Sequence, residues 1–352
     1  MTINVHPRFL RLSGLTLALA AGVAACGGTA SAPPSGAGGS AAAAPSQSSS
    51  PSASASAASQ GGGQLGMVLE VNNSGWQKVI GSAAKPGMVA VLVMPNQPAA
   101  KAGLAVGDVV AAMNGTNVTN ANVANREIRK LKVGDKVSLD VQRKNGPAKV
   151  DLTVEPAQQL NLSAMLDDAV KKDPNNAAAY FLRAAYGGED GKAAQADYSK
   201  AITLKPEFVS AYVQRGTLMQ GTDPGNAMKD FDKAISLDGN YEPTYVNRSV
   251  LFSSQKAYDK ALQDDQKAVE LDGSDPAAYT NLGIGLVNQG KSQDAMSAED
   301  KALQIDPQFG PALLYRGLMY RDASKSDLQN AAQLVRDEKL RSLATDALSK
   351  MG

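Results

Sequence analysis

The chain has 352 residues and a formal charge of +1, from 35 Lys and Arg against 34 Asp and Glu. It holds one Cys, Cys26, and one His, His6. An intrachain disulfide, a Cys/His metal cluster and a Ser-His-Asp triad are therefore excluded, and near-zero net charge gives no nucleic-acid footprint.

Arg8 and Arg11 precede an apolar run, 12–25, that stops at Cys26. The run is too short for a comfortable membrane span of about 20 residues and suits a signal-peptide core. Val23-Ala24-Ala25-Cys26 resembles the lipobox of bacterial lipoproteins. The resemblance implies a signal peptide over 1–25, cleavage before Cys26, and a lipidated Cys26 anchoring an extracytoplasmic protein to a bacterial membrane. The alternative is an ordinary secretory peptide cut at an Ala-x-Ala-like site. Two acyl chains suffice for stable anchoring.

The segment 26–63 is expected to be a disordered tether. Residues 27–64 hold 11 Ser, 11 Ala, 8 Gly, 4 Pro, 3 Gln and 1 Thr, with no charge and no large apolar residue. Such a segment buries too little to offset its ordering entropy. Gly/Ser-like statistics give it a reach of roughly 35 Å.

Residues 64–156 read as a small mixed β/α domain. Apolar alternation marks strands over 87–94, 108–113, 136–143 and 149–154, separated by turn signals such as Asn114-Gly115 and Asn145-Gly146-Pro147. Short helices fit at 98–103, opened by a Pro and closed by Gly103, and at 120–131, where Ala124, Ile128 and Leu131 share one face. The run Pro-Asn-Gln-Pro-Ala-Ala-Lys-Ala-Gly-Leu-Ala-Val-Gly-Asp-Val-Val-Ala-Ala-Met-Asn-Gly-Thr-Asn-Val, 95–118, is similar to the signature of PDZ domains of the HtrA protease type. Gln64-Leu65-Gly66-Met67 resembles their carboxylate-binding loop. The resemblance implies that a peptide adds as a strand beside the one following Gly66, with a helix at 120–131 walling the groove. Leu65, Gly66, Met67, Val123 and Ile128 are the candidate peptide-binding residues, and the apolar ones equally suit a core. Trp76 and the stretch 72–87 have no assigned role.

From about 158 to 350 the chain repeats. Tyr180, Tyr212, Tyr245, Tyr279 and Leu313 stand 32, 33, 34 and 34 positions apart, and Ala169, Ala201, Ala234, Ala268 and Ala302 keep the same spacings. Period and signature resemble tetratricopeptide (TPR) repeats, which implies an all-α solenoid of about five helical hairpins with an N-terminal half-repeat at 160–171. The expected pairs are 177–188 with 192–204, 208–220 with 225–237, 243–255 with 257–271, 276–289 with 292–304, and 310–322 with one last helix after 325. If the register of that family carries over, Val246, Val250, Thr280, Ile284 and Val287 line the concave face as a partner-binding strip, free of helix packing. Leu314 and Leu318 are expected to be covered by the last helix.

Residues 65–155 carry 11 basic and 7 acidic side chains, and 156–352 carry 22 and 27. The cluster Arg126, Arg129, Lys130 and Lys132 can therefore meet an acidic peptide, an anionic membrane or the acidic solenoid. The chain reads as an adaptor for protein or peptide partners, with no cofactor, no nucleic acid and no enzymatic chemistry. The alternative is a structural envelope lipoprotein whose PDZ-like part is a spacer.

Overall fold

The computed structural model describes residues 54–58, 63–156, 158, 161–187, 190–319, 324–335 and 337–350. Cys26, the signal segment 1–25 and the tether up to residue 53 lie outside the described residues.

The first module is built from β1 (Ser54–Ala58), β2 (Gly63–Val71), α1 (Ser74–Val79), β3 (Met88–Val93), α2 (Pro98–Lys101), β4 (Val109–Met113), β5 (Thr116–Asn117), α3 (Ala121–Arg129), β6 (Lys136–Arg143), β7 (Gly146–Thr153) and β8 (Glu155–Pro156). The strands pair antiparallel in the order β1-β2-β3-β4-β6-β7, with β5 on β4 and β8 returning to β2. Within the segment 26–63 expected to be a tether, residues 54–58 form β1 and Gly63 opens β2.

Strands β2, β3 and β4 are covered on both faces, whereas β7 alternates between buried and exposed. Leu65, Met67, Leu69, Met88, Ala90, Val110 and Met113 enter the domain's own core with Ala124, Ile128, Leu139 and Val150. Their neighbours in the strands, Val68, Val89, Val91 and Val109, join a second core with the helical module. Strands covered on both faces read as continuous apolar runs. Met-Val-Ala-Val-Leu-Val in β3 is such a run, which corrects the half-buried alternation expected there.

The second module is all helical: α4 (Leu162–Lys172), α5 (Ala177–Tyr186), α6 (Gly191–Leu204), α7 (Val209–Met219), α8 (Pro224–Leu237), α9 (Glu242–Ser254), α10 (Tyr258–Leu271), α11 (Pro276–Asn288), α12 (Ser292–Ile305), α13 (Gly310–Met319), α14 (Ser324–Leu334) and α15 (Glu338–Lys350). Sequence-adjacent helices pack as hairpins that stack on their neighbours. Asn161, Asn176, Asp190, Asp223 and Asp275 cap helix starts by accepting backbone N–H groups. Ala201, Ala234, Ala268 and Ala302 are wholly buried, because helices cross closely there. A Cβ on Gly216, four residues after Tyr212, would stand 2.9 Å from the Phe231 ring, so a close crossing demands a small residue there too.

A further ladder ties four of the five hairpins, all but α11–α12, where Leu282 holds the position. Arg183, Arg215, Arg248 and Arg316, each three residues after the aromatic position, bind Asp197, Asp230, Asp264 and Asp327 at 2.6–2.8 Å. The first three guanidinium groups also lie 5.6–5.8 Å from the ring of the preceding Tyr.

The end differs from expectation. Two helices follow α13, not one: α14 completes the hairpin and α15 caps the stack. Leu314 is buried with Leu328, Val335 and Leu340, as a cap requires. Leu318 is 43% exposed, so the cap covers only part of the strip expected to lie under it.

Candidate functional site

The groove is bounded by β2 and α3. Asn120 ends the extended chain and caps α3, its Oδ1 accepting from Val123 N at 2.9 Å. Ala121, Ala124 and Ile128 turn inward, so α3 is held to the sheet by its apolar face. Between α3 and β2 lies β1. Its register with β2 pairs Ser54 with Glu70, Ala55 with Leu69, Ser56 with Val68, and Ala58 with Gln64. Three residues of β2, Leu65, Gly66 and Met67, therefore oppose only Ala57, and the loop expected to hold a carboxylate is a bulge in the strand.

Gly66 is required by that bulge. Its φ is +74°, a left-handed conformation, and an added Cβ would stand 2.1 Å from the Gln97 Cβ. The Gly66 carbonyl accepts from Met94 N at 2.8 Å, and Gln97 bonds to Gln64 and, at 3.0 Å, to Gln158. A bulky residue at 66 thus damages the strand itself as well as the groove. Leu65, Met67 and Ile128 are at most 1% exposed and belong to one core cluster. Val123 is 4% exposed without belonging to that cluster.

The outer side of α3 and the loop before it dock on the solenoid. Asn120 Nδ2 donates to Asp272 Oδ2 at 2.7 Å, Asn122 Nδ2 to Asp275 Oδ1 at 2.6 Å, and Arg126 Nη1 to the Ile305 carbonyl at 2.7 Å. Arg129 pairs with Asp306 at 2.9 Å. From α1, Ser74 N donates to Asp238 Oδ2 at 3.1 Å. Asp238, Asp272 and Asp306 are one repeat apart, each four residues after the buried Ala of its hairpin, at the C-terminal cap of its helix. Two of the four expected basic residues, Arg126 and Arg129, thus meet the acidic solenoid of their own chain. Lys130 instead bonds to Glu127 within α3.

Trp76 is the hub of the junction. It is wholly buried, with ring centroids 5.1 Å from Phe181 and 4.7 Å from Phe208, both edge-on. Asn73 holds it there: its Oδ1 caps α1 and its Nδ2 donates to Ser210 Oγ at 2.8 Å. Beside it, Glu70 on β2 accepts from the Tyr186 hydroxyl at 2.5 Å. Burial pushes the Glu70 carboxyl up to about 8, against the opposing effect of that hydrogen bond.

A second acid group lies under Asn122. Burial raises Asp275 to about 6 and Glu242 well above its ordinary range. The charge of Asp275 adds to the rise at Glu242.

On the solenoid, Val246 is 8% exposed and packs with Tyr245, Ala268 and Ala278, so it takes part in helix packing, contrary to expectation. Thr280 is buried and donates to Glu299 Oε2 at 3.1 Å. Val250, Ile284 and Val287 are half-buried. Among the described residues there is no group of three His, Cys, Asp or Glu that could hold a metal ion, and the fold is not a protease fold.

Residues 63–154 match the PDZ domain family, about a quarter of the chain. The periplasmic serine endoprotease DegP of Salmonella typhimurium is 32% identical over 97 residues, 28% of this chain and 20% of the relative. A probable periplasmic serine endoprotease DegP-like of Pseudomonas fluorescens is 28% identical over 167 residues, 47% of this chain and 33% of the relative. The chain therefore spans a fifth to a third of the length of these curated relatives. The crystal structure of yeast Tom70 is 19% identical with a TM-score of 0.46, covering 55% of this chain and 44% of that one. The chain thus carries a PDZ domain followed by a TPR-like helical solenoid, and the solenoid reading rests on the repeats themselves.

Proposed function

We propose that the chain is an extracytoplasmic adaptor, anchored through a lipid on Cys26, that binds an extended peptide segment in the slot between β2 and α3. One observation carries the groove: the edge of β2 accepts an added antiparallel strand beneath α3. Strand addition supplies main-chain hydrogen bonds, and the amides of the bulge at Leu65, Gly66 and Met67 suit a terminal carboxylate. Gly66, Leu65, Met67, Val123 and Ile128 remain the residues assigned to the groove, the apolar ones acting from the core beneath it. On the solenoid, Val250, Ile284 and Val287, with Val246 and Thr280 supporting from below, form the second binding surface for a protein partner.

Titration of the intact mature chain with a library of C-terminal peptides tests the groove. An isolated 62–157 fragment is unsuitable, because it would expose Trp76, Val68 and Val89. The anchor rests on the sequence, and labelled palmitate incorporated by the wild type and absent from Cys26→Ser supports it. The spacer reading has its own support in the core shared by both modules through Trp76. No peptide bound at millimolar concentration would favour it.

A further inference from the structure

We propose that β1 is a built-in competitor for the groove, so that a partner must displace the chain's own 54–58 segment to bind; the inference rests on the groove reading above. Four features carry it. First, β1 lies in the slot itself, hydrogen-bonded to β2 on one side and packed against α3 on the other. Second, its polarity is that of a ligand. Ser54 stands at Glu70 and Ala58 at Gln64, so its C-terminal end reaches the Leu65-Gly66-Met67 bulge, where a peptide's carboxylate would end.

Third, its composition makes it replaceable. Ser-Ala-Ser-Ala-Ala has no large apolar residue, no charge and no strong strand former, so its hold comes from main-chain bonds. A segment with the same main-chain bonds, an apolar side chain and a free carboxylate binds better than β1 does. Fourth, only Ser59-Gln60-Gly61-Gly62 separates β1 from β2. A connection of only four residues holds a weak ligand at an effective concentration in the millimolar range, enough to keep a weak site mostly filled.

The slot does not open by moving its wall. Asn120, Asn122, Arg126 and Arg129 bind the loop before α3, and α3 itself, to the solenoid. Exchange therefore proceeds by departure of β1. A groove free about one tenth of the time binds its partner about tenfold more weakly than an open one. The partner this slot selects is an extended chain end carrying an apolar terminal residue.

The test compares the mature wild-type chain with Ala55→Pro/Ser56→Pro. Successive N–H groups of a strand point to opposite sides, so one of two adjacent prolines removes a donor facing β2. A second variant replaces 54–58 with five glycines and keeps the length. The probe is fluorescein-Gly-Ser-Ala-Ser-Ala-Val with a free carboxylate, and its C-terminal amide is the control. Both variants should bind the acid on the order of tenfold more tightly than wild type, with unchanged melting. In the absence of probe, the amides along 64–71 should exchange faster in both variants. Equal affinity in all three chains, or weaker binding in the variants, would overturn the competitor while leaving the groove intact. No binding by any of them at millimolar probe would remove the groove reading and the competitor with it.

Discussion

Replacing Trp76 by Ala asks whether the two modules are one unit. The indole is wholly buried and meets Phe181 and Phe208 edge-on in the core that joins the modules. Truncating a buried Trp costs about 3–5 kcal/mol. The low end applies, since the indole Nε1 has no hydrogen-bond partner and losing a buried orphan donor returns about 1 kcal/mol. About 3 kcal/mol lowers the melting temperature of a unit this large by roughly 5–8 °C. Trp76→Phe keeps a ring without the orphan N–H and should stay within about 1 kcal/mol of wild type. Calorimetry of the two variants measures both. Because Trp76 is the chain's one Trp, its emission in urea reports the junction alone. In the wild type it should shift at the same urea concentration as the loss of helical circular dichroism. A Trp76→Ala protein melting like wild type, or emission shifting well before the helices unfold, would refute a shared core.

Arg129→Ala with Asn120→Ala removes two of the contacts on Asp306 and Asp272; hydrogen exchange across α3 should rise while the solenoid's exchange stays constant. Arg248→Ala leaves the Asp264 carboxylate buried without its 2.8 Å partner and should cost about 1–3 kcal/mol by urea unfolding, less than a fully buried pair because Arg248 is partly exposed. Glu70 sets a pH dependence. Its folded value of about 8 lies above that of an unfolded Glu, so the folded state binds the extra proton, and stability is highest below about pH 4.5 and falls as pH rises toward 8. Glu70→Gln should reduce the dependence of melting temperature on pH across that window, with Asp265, also held near 8 by burial, and Asp275, near 6, left to titrate.

The solenoid was legible because its geometry repeats: each turn of packing needs the same small or aromatic residue at the same spacing, so Ala201 and its successors announce themselves. The PDZ domain was legible from the turn and helix chemistry between Pro95 and Gly115. The junction was not, because contacts between modules have no period and no shared motif. Two signals for it do stand in the sequence. Trp76 is the chain's one Trp in a stretch the resemblance did not explain, and β3 is apolar without alternation, as a strand covered on both faces must be. Asp238, Asp272 and Asp306 gave no signal, because each already accepts from the backbone N–H two residues on and so serves its own turn. β1 was hidden for a different reason. Ser-Ala-Ser-Ala-Ala looks like any other stretch of the tether, and its strand geometry comes from the partner edge of β2, not from its own residues. Val246 was misplaced because a register borrowed from other repeats does not say how deeply neighbouring hairpins interlock.

The most direct measurement of the central claim is a map of backbone amide shifts in the intact mature chain, saturated with a peptide found by library titration. The largest changes are expected at Leu65, Gly66 and Met67 and on along β2 to Glu70, with those at the bulge lost when the peptide's carboxylate is amidated. Changes confined to the solenoid around Val250, Ile284 and Val287, or changes indifferent to amidation, would contradict it.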